Sequence, residues 1–195
     1  MDRINNISNH LQFMATTDRH SELVDAFTAD LRPWRRRCEL QYWSDTVALV
    51  YEGMKLIDVN GMPDIEKQKL QIRMNQLNYK EPDVMVFHHQ VFLNNRKNTR
   101  KAGCPDLIIE IWSDDNDEIH RKEKFEIYAS SEFTEHWYME QESDIVKCFL
   151  GTKRLPDQHL KNILKSQSGL EFDLTDLQTF DDSSWESFIE YGYKG

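Results

Sequence analysis

Residues 105–112, PDLIIEIW, constrain this chain more than any other stretch, because they set a carboxylate at the end of a short apolar run. Pro105 opens the segment, Leu107, Ile108 and Ile109 read as strand, and Glu110 follows them directly. Side chains alternate between the faces of a strand, so Glu110 and Trp112 lie on one side. The carboxylate is either a strand ending in a charge or one member of a built site.

A second segment decides between these readings. Residues 82–87, PDVMVF, form another strand candidate, opened by a proline that needs no ladder donor. Paired antiparallel with Phe87 opposite Asp106, this strand places Asp83 opposite Glu110. Directly opposed residues share a face, with Cβ atoms roughly 5 Å apart. Two carboxylates held that way repel unless something positive lies between them. Mg²⁺, a hard cation with oxygen ligands and several retained waters, is the expected occupant, with Mn²⁺ as an alternative. The segment 116–131 is expected to be a helix on which His120, Lys124 and Tyr128 stand four apart on one face. If that helix returns over the same face of the sheet, Lys124 brings an ammonium to Asp83 and Glu110, where Trp112 cannot.

The rest of the chain supplies a frame. Residues 17–31 read as a helix, capped by Thr17 or Asp18, with Leu23, Ala26, Phe27 and Leu31 at helical spacing and Pro33 as its stop. Residues 38–51 read as strand with a turn at Ser44-Asp45, and 63–79 mix helical and strand signals. The run NNRKNTRKAG reads as a long polar loop between the two acid-bearing strands. Ile119, Ile127 and Tyr128 are the expected inward residues of the 116–131 helix. Residues 136–139 and 145–150 form a hairpin around Gln141-Glu142-Ser143-Asp144. A helix is expected around 157–165, and GLEFDLTDL docks Leu170, Phe172, Leu174 and Leu177 onto the core.

Composition bounds the function. The 195 residues suit one domain, and with 39% hydrophobic and 30% charged residues the chain has ordinary globular make-up. No apolar run is long enough to span a bilayer, and MDRINNISNH lacks a secretory pattern. Three widely spaced cysteines, Cys38, Cys104 and Cys148, fit reduced thiols in a cytoplasm. Lys and Arg number 24 against 34 Asp and Glu, a net charge of −10 that argues against nonspecific coating of nucleic acid. Basic residues nevertheless cluster at Arg32, Arg35, Arg36 and Arg37 and at Arg96, Lys97, Arg100 and Lys101. His88-His89 read as loop residues, and Trp137 and Tyr138 as packing.

The ordered series PDVMVF, GCPDLIIEIWS and KFEIYASSEFTEHWYM resembles the small bacterial restriction-endonuclease-like proteins of the Uma type, within the PD-(D/E)xK nuclease superfamily. The similarity covers roughly residues 17–178 and is strongest over 82–139. It implies an α/β fold: a restriction-endonuclease-like mixed β-sheet flanked by helices, in a single domain over 17–180, with an N-terminal extension 1–16 and an acidic, aromatic tail 181–195. It implies a catalytic set of Asp83, Glu110 and Lys124, with Asp106 at a further family position and Asp83 and Glu110 on the metal. Glu22 on the first helix is the implied remote acid. His120 stands where the family carries an acidic residue, and the usual acidic N-terminal hairpin is missing before residue 17.

The expected activity is Mg²⁺-dependent endonucleolytic hydrolysis of phosphodiester bonds, in DNA ahead of RNA. The loop carrying Arg96, Lys97, Arg100 and Lys101 would position the strand, and the protein would act in the cytoplasm, as a homodimer if it self-associates. The competing expectation is a noncatalytic, partner-binding module on the same fold.

Overall fold

The computed structural model describes residues 2–37, 39–44, 47–94, 99–113 and 117–177, with only the helical backbone given for residues 2–18. Helix α1 (Asp2–Arg36) leads into strands β1 (Gln41–Ser44), β2 (Ala48–Glu52) and β3 (Lys55–Leu56). Helix α2 (Asp64–Arg73), a 3₁₀ turn (Met74–Gln76) and β4 (Asn78–Lys80) come next. Then follow β5 (Val84–Phe87), β6 (Phe92–Asn94), β7 (Arg100–Gly103), β8 (Leu107–Trp112) and α3 (Glu118–Ala129). The hairpin β9 (Glu135–Glu140) and β10 (Ile145–Leu150) precedes four two-residue strands: β11 (Lys153–Arg154), β12 (Gln158–His159), β13 (Leu164–Lys165) and β14 (Glu171–Phe172).

The main sheet runs β1-β5-β8-β9-β10-β11, with β12 on β10. All its described neighbours are antiparallel except β8 and β9, which are parallel and joined through α3. A parallel neighbour needs such a crossover. This is the mixed, helix-flanked α/β sheet that the sequence implied. A smaller sheet, β3-β2-β7-β6 with β4 on β2, stands beside it.

β8 is buried on both faces, because each side of the sheet carries its own core. Val84, Val86, Leu107, Ile109, Ile111, Trp137 and Met139 face Leu23, Phe27 and Leu31 of α1 and the late residues Leu164, Leu170, Phe172 and Leu174. Met85, Phe87, Ile108 and Tyr138 face Ile127 and Tyr128 of α3 and Leu49 and Tyr51 of the smaller sheet. Each such large side chain contributes about 1.5–3 kcal/mol by leaving water.

Several expectations are corrected. Pro33 lies inside α1, which continues to Arg36. In the last turn it removes only one backbone bond, and its own carbonyl accepts from Arg37 N–H at 3.3 Å. Thr17 and Asp18 lie within α1 rather than at its cap; Ile4, Ile7, Leu11 and Met14 continue a three-and-four spacing upstream. The polar run after Asn94 is not one loop, since Arg100–Gly103 is strand β7, paired with both β2 and β6. Ile119 is 75% exposed. It lies in the first turn of α3, whose cap is Asp117, accepting from Ile119 N–H at 3.0 Å.

No helix forms at 157–165. The Gln158 side chain instead spans to Lys165, accepting from the backbone N–H at 2.7 Å and donating to the carbonyl at 3.1 Å. Leu160, in the turn after β12, and Leu164, on β13, are both buried. The ambiguous 63–79 stretch divides into a helix and a strand, and the 136–150 hairpin and the docking of Leu170, Phe172 and Leu174 are as expected.

Candidate active site

The strand register brings the two carboxylates together. Val84 pairs with Ile109, Met85 with Ile108 and Val86 with Leu107. Extending the ladder by one residue each way sets Asp83 opposite Glu110 and Phe87 opposite Asp106, the assumed register. Asp83 precedes β5, and its Oδ2 accepts from the Ile111 backbone N–H at 2.6 Å, which fixes the carboxylate across the strand gap. Its Oδ1 faces His20 Nε2 of α1 at 3.3 Å.

Glu110 is 1% exposed, and both its oxygens are engaged. Tyr128 Oη donates to Oε1 at 2.7 Å and Lys124 Nζ to Oε2 at 2.6 Å. Lys124 also donates to the Glu81 carbonyl at 3.2 Å. Tyr128 and Lys124 are one helical turn apart on α3, so one face of that helix addresses one carboxylate. Burial pushes the Glu110 carboxyl up to about 7; the Lys124 ammonium opposes this and the Asp83 charge adds to it. Burial beside Glu110 also raises the Tyr128 hydroxyl well above the usual phenol range, so it remains a donor.

These groups open on a pocket of about 130 Å³ lined by His20, Asp83, Glu110, Trp112, Ser113, His120, Arg121 and Lys124, with Ile111. Trp112 occupies the place beside Glu110 foreseen for it. Its ring lies 4.6 Å from that of Tyr138, and the Arg121 guanidinium covers it at 4.7 Å.

Two residues named from sequence lie elsewhere. Asp106 is buried at the other end of β8, where its Oδ2 accepts from the backbone N–H groups of His88, His89 and Gln90 at 2.8, 3.0 and 3.1 Å. It shapes the turn after β5 and does not line the pocket. Glu22 pairs with Arg19 at 3.6 Å and is likewise not among the lining residues. Two positions along a helix turn the side chain by about 200°, so His20 and Glu22 cannot face the same site. His20 shares the stripe of Leu23 and Phe27, three and seven residues on, and that spacing was the signal available for it.

The basic cluster divides. Arg96 and Lys97 lie outside the described residues. Arg100 donates to the carbonyls of Met74 and Leu77 at 2.9 and 3.0 Å and stacks on Tyr79. Lys101 is buried, bonded to Asn94 Oδ1 at 2.6 Å and set over Trp43. Strand β7 thus gives both side chains protein partners, and neither lines the pocket.

Among the described residues no three His, Cys, Asp or Glu side chains converge as a metal cage. The donor set still fits a hard divalent ion. Mg²⁺ is commonly held by one or two carboxylates with waters and substrate oxygens completing its shell. Asp83 and Glu110 would be those carboxylates, since each oxygen retains acceptor capacity beyond its present bond.

Among known proteins, a crystal structure entitled as that of a "putative nuclease belonging to DUF820" from Anabaena variabilis ATCC 29413 aligns over 82% of this chain and 79% of its own, with 13% identity and a TM-score of 0.49. None of the curated proteins compared gives a significant match. The family described as "Uma2: Putative restriction endonuclease" matches residues 2–178, the whole helix-flanked sheet and its pocket included. The chain belongs to the Uma2 family.

Proposed function

We propose that this protein is an endonuclease that hydrolyses phosphodiester bonds of DNA with Mg²⁺. One observation carries the reading: Asp83 and Glu110 stand opposite each other at the edge of one pocket, with Lys124 2.6 Å from Glu110. Asp83 and Glu110 would hold the cation. When bound, the ion acts as a Lewis acid and makes a water nucleophilic near neutral pH. Asp83 is kept in place by the Ile111 N–H, and Glu110 by Tyr128, so neither carboxylate reorganises as charge develops. Lys124 supplies a fixed positive charge beside the attacked phosphate, the role a strand lysine at position 112 would otherwise fill.

A second reading, a noncatalytic partner-binding module, draws on the closed state of Glu110, whose two oxygens are already engaged, and on the net charge of −10. Calorimetric titration of Mg²⁺ and Mn²⁺ into the wild-type protein and Glu110→Ala, beside a cleavage assay on plasmid and single-stranded DNA, separates the two. Metal binding lost in the variant, together with cleavage by wild type, supports the nuclease. Binding of neither metal overturns it and leaves the carboxylates architectural.

A further inference from the structure

The pocket holds one charged group that the proposed chemistry leaves unused. Arg121, in the first turns of α3, lines the pocket three residues before Lys124. Its Nη1 donates to Glu140 Oε1 at 2.8 Å and its Nη2 to the Ser113 carbonyl at 2.6 Å. Its plane lies over the Trp112 ring at 4.7 Å. Its Nε is buried and meets no protein acceptor.

We infer that Arg121, mounted on Trp112, is a phosphate-binding residue of this pocket and receives a phosphodiester neighbouring the one at Asp83 and Glu110. The inference deepens the nuclease reading and rests on it for the choice of ligand. Nη1 and Nη2 each carry a second N–H beyond these ties, and the side chain is 22% exposed where it lines the pocket. The ties are what a binding group needs: the Glu140 carboxylate, the Ser113 carbonyl and the Trp112 ring hold the plane in one orientation. The platform is itself fixed, since Gln141 N–H donates to the Trp112 carbonyl at 2.9 Å and Trp112 packs on buried Tyr138.

Charge points the same way. Lys124 offsets Glu110 at 2.6 Å, but Asp83 adds a second carboxylate to the pocket, so a polyanion there is helped by a further cation. Arginine stays protonated at any working pH and presents N–H groups in a fork that matches phosphate oxygens, which a lysine cannot do as a point charge. The tryptophan where a lysine was expected is therefore the support for an arginine from the next helix.

The test uses the full chain without divalent metal, so that binding is read apart from cleavage. Fluorescence anisotropy of a labelled 20-base-pair duplex is followed at several salt concentrations for wild type, Arg121→Gln and Arg121→Lys. Circular dichroism and melting show that each variant is folded. Arg121→Gln is expected to weaken binding about tenfold and to lower the salt slope by about 0.9, one phosphate contact. Arg121→Lys is expected to restore the slope and part of the affinity. Unchanged affinity and slope in folded Arg121→Gln overturn the inference, even where the wild type cleaves DNA.

A second probe, thymidine 3′,5′-bisphosphate, is followed by its upward shift of the melting temperature. A shift seen in wild type and lost in Arg121→Gln supports the inference even if no cleavage is found, in which case only the nuclease reading falls. No binding of either probe by wild type overturns the inference, while the nuclease reading is decided separately by the cleavage assay with metal.

Discussion

Lys124 and Glu110 meet at 2.6 Å although one belongs to a helix and the other to the strand before it. Glu110 is 1% exposed and Lys124 23%, so the contact joins a buried charge to one that still reaches water. The ammonium is the group that lets a carboxylate sit inside the sheet at all. Burial alone would drive Glu110 to its neutral form.

Removing that partner should cost stability as well as rate. Lys124→Ala is expected to destabilise the fold by about 1–3 kcal/mol, the cost of leaving a buried group without its charged donor. The urea midpoint measures this, and Glu110→Gln in the same chain should recover part of the loss. Cleavage by Lys124→Ala should fall by about 10²–10³-fold with metal binding retained. An unchanged rate clears the lysine of its role.

Asp83→Ala is expected to abolish Mg²⁺-dependent cleavage and calorimetric metal binding in a chain that still folds. Asp83→Asn keeps an acceptor for the Ile111 N–H and should fold closest to wild type, yet it should lose metal binding, because a neutral amide is a weaker ligand for a hard cation. Full activity in either variant rejects the metal assignment.

Asp106 should behave in the opposite way. Its carboxylate serves three backbone N–H groups, so Asp106→Ala is expected to cost on the order of 3 kcal/mol in chemical denaturation. Asp106→Asn, which keeps an acceptor, should cost less and should retain cleavage. Loss of cleavage in a well-folded Asp106→Asn would return this residue to the catalytic set.

His136 makes stability depend on pH. Its Nε2 lies 2.8 Å from the Gly151 carbonyl, which can only accept, so the neutral ring carries its proton there and Nδ1 accepts from Tyr138 Oη at 2.8 Å. Burial lowers its pKa from 6.5 to about 4. Between those values the unfolded chain binds a proton that the folded chain does not, so stability falls as pH drops from about 6.5 towards 4. The contribution is roughly 3 kcal/mol over the full interval. Denaturation curves at pH 7, 5.5 and 4.5 measure it, and His136→Gln should flatten the dependence.

Lys101 is buried with a neutral partner and an aromatic ring, and burial lowers its pKa. Lys101→Met keeps the length and removes the cost of burying charge. It is expected to hold or raise stability by up to about 1 kcal/mol, read from the melting temperature. It should leave the salt dependence of DNA binding unchanged.

The carboxylate pair was legible only through an assumed register, Phe87 opposite Asp106: VMVF and LIIEI are apolar on both faces, so their pattern does not select it, and the pairing of Val84 with Ile109 supplies it. Lys124 and Tyr128 were legible from their spacing of four. Glu22 was carried over from the resemblance, as a remote acid on the first helix, whereas helix phase turns His20 to the pocket. Arg100 and Lys101 read as loop because lysine and arginine are weak strand formers. Only the neighbours β2 and β6, distant in sequence or across a polar run, make strand β7 worth forming. The two short strands and turn at 157–165 depend on Gln158 reaching Lys165, a contact that no helical or strand period announces.

The core beneath the pocket has a consequence for the order in which the protein is made. His20 through Tyr128 supply every pocket group, yet the opposite face of their sheet is covered by Leu164, Leu170, Phe172 and Leu174, with Phe172 edge-on to both Phe27 and Trp137. Asp30 on α1 binds the Asp173 backbone N–H at 2.6 Å, tying that late segment to the first helix. A ribosome therefore releases all the residues of the site well before it releases the residues that seal their floor. A chain cut near residue 160 would keep every site residue yet lose the Phe172 ring that packs on Phe27 and Trp137.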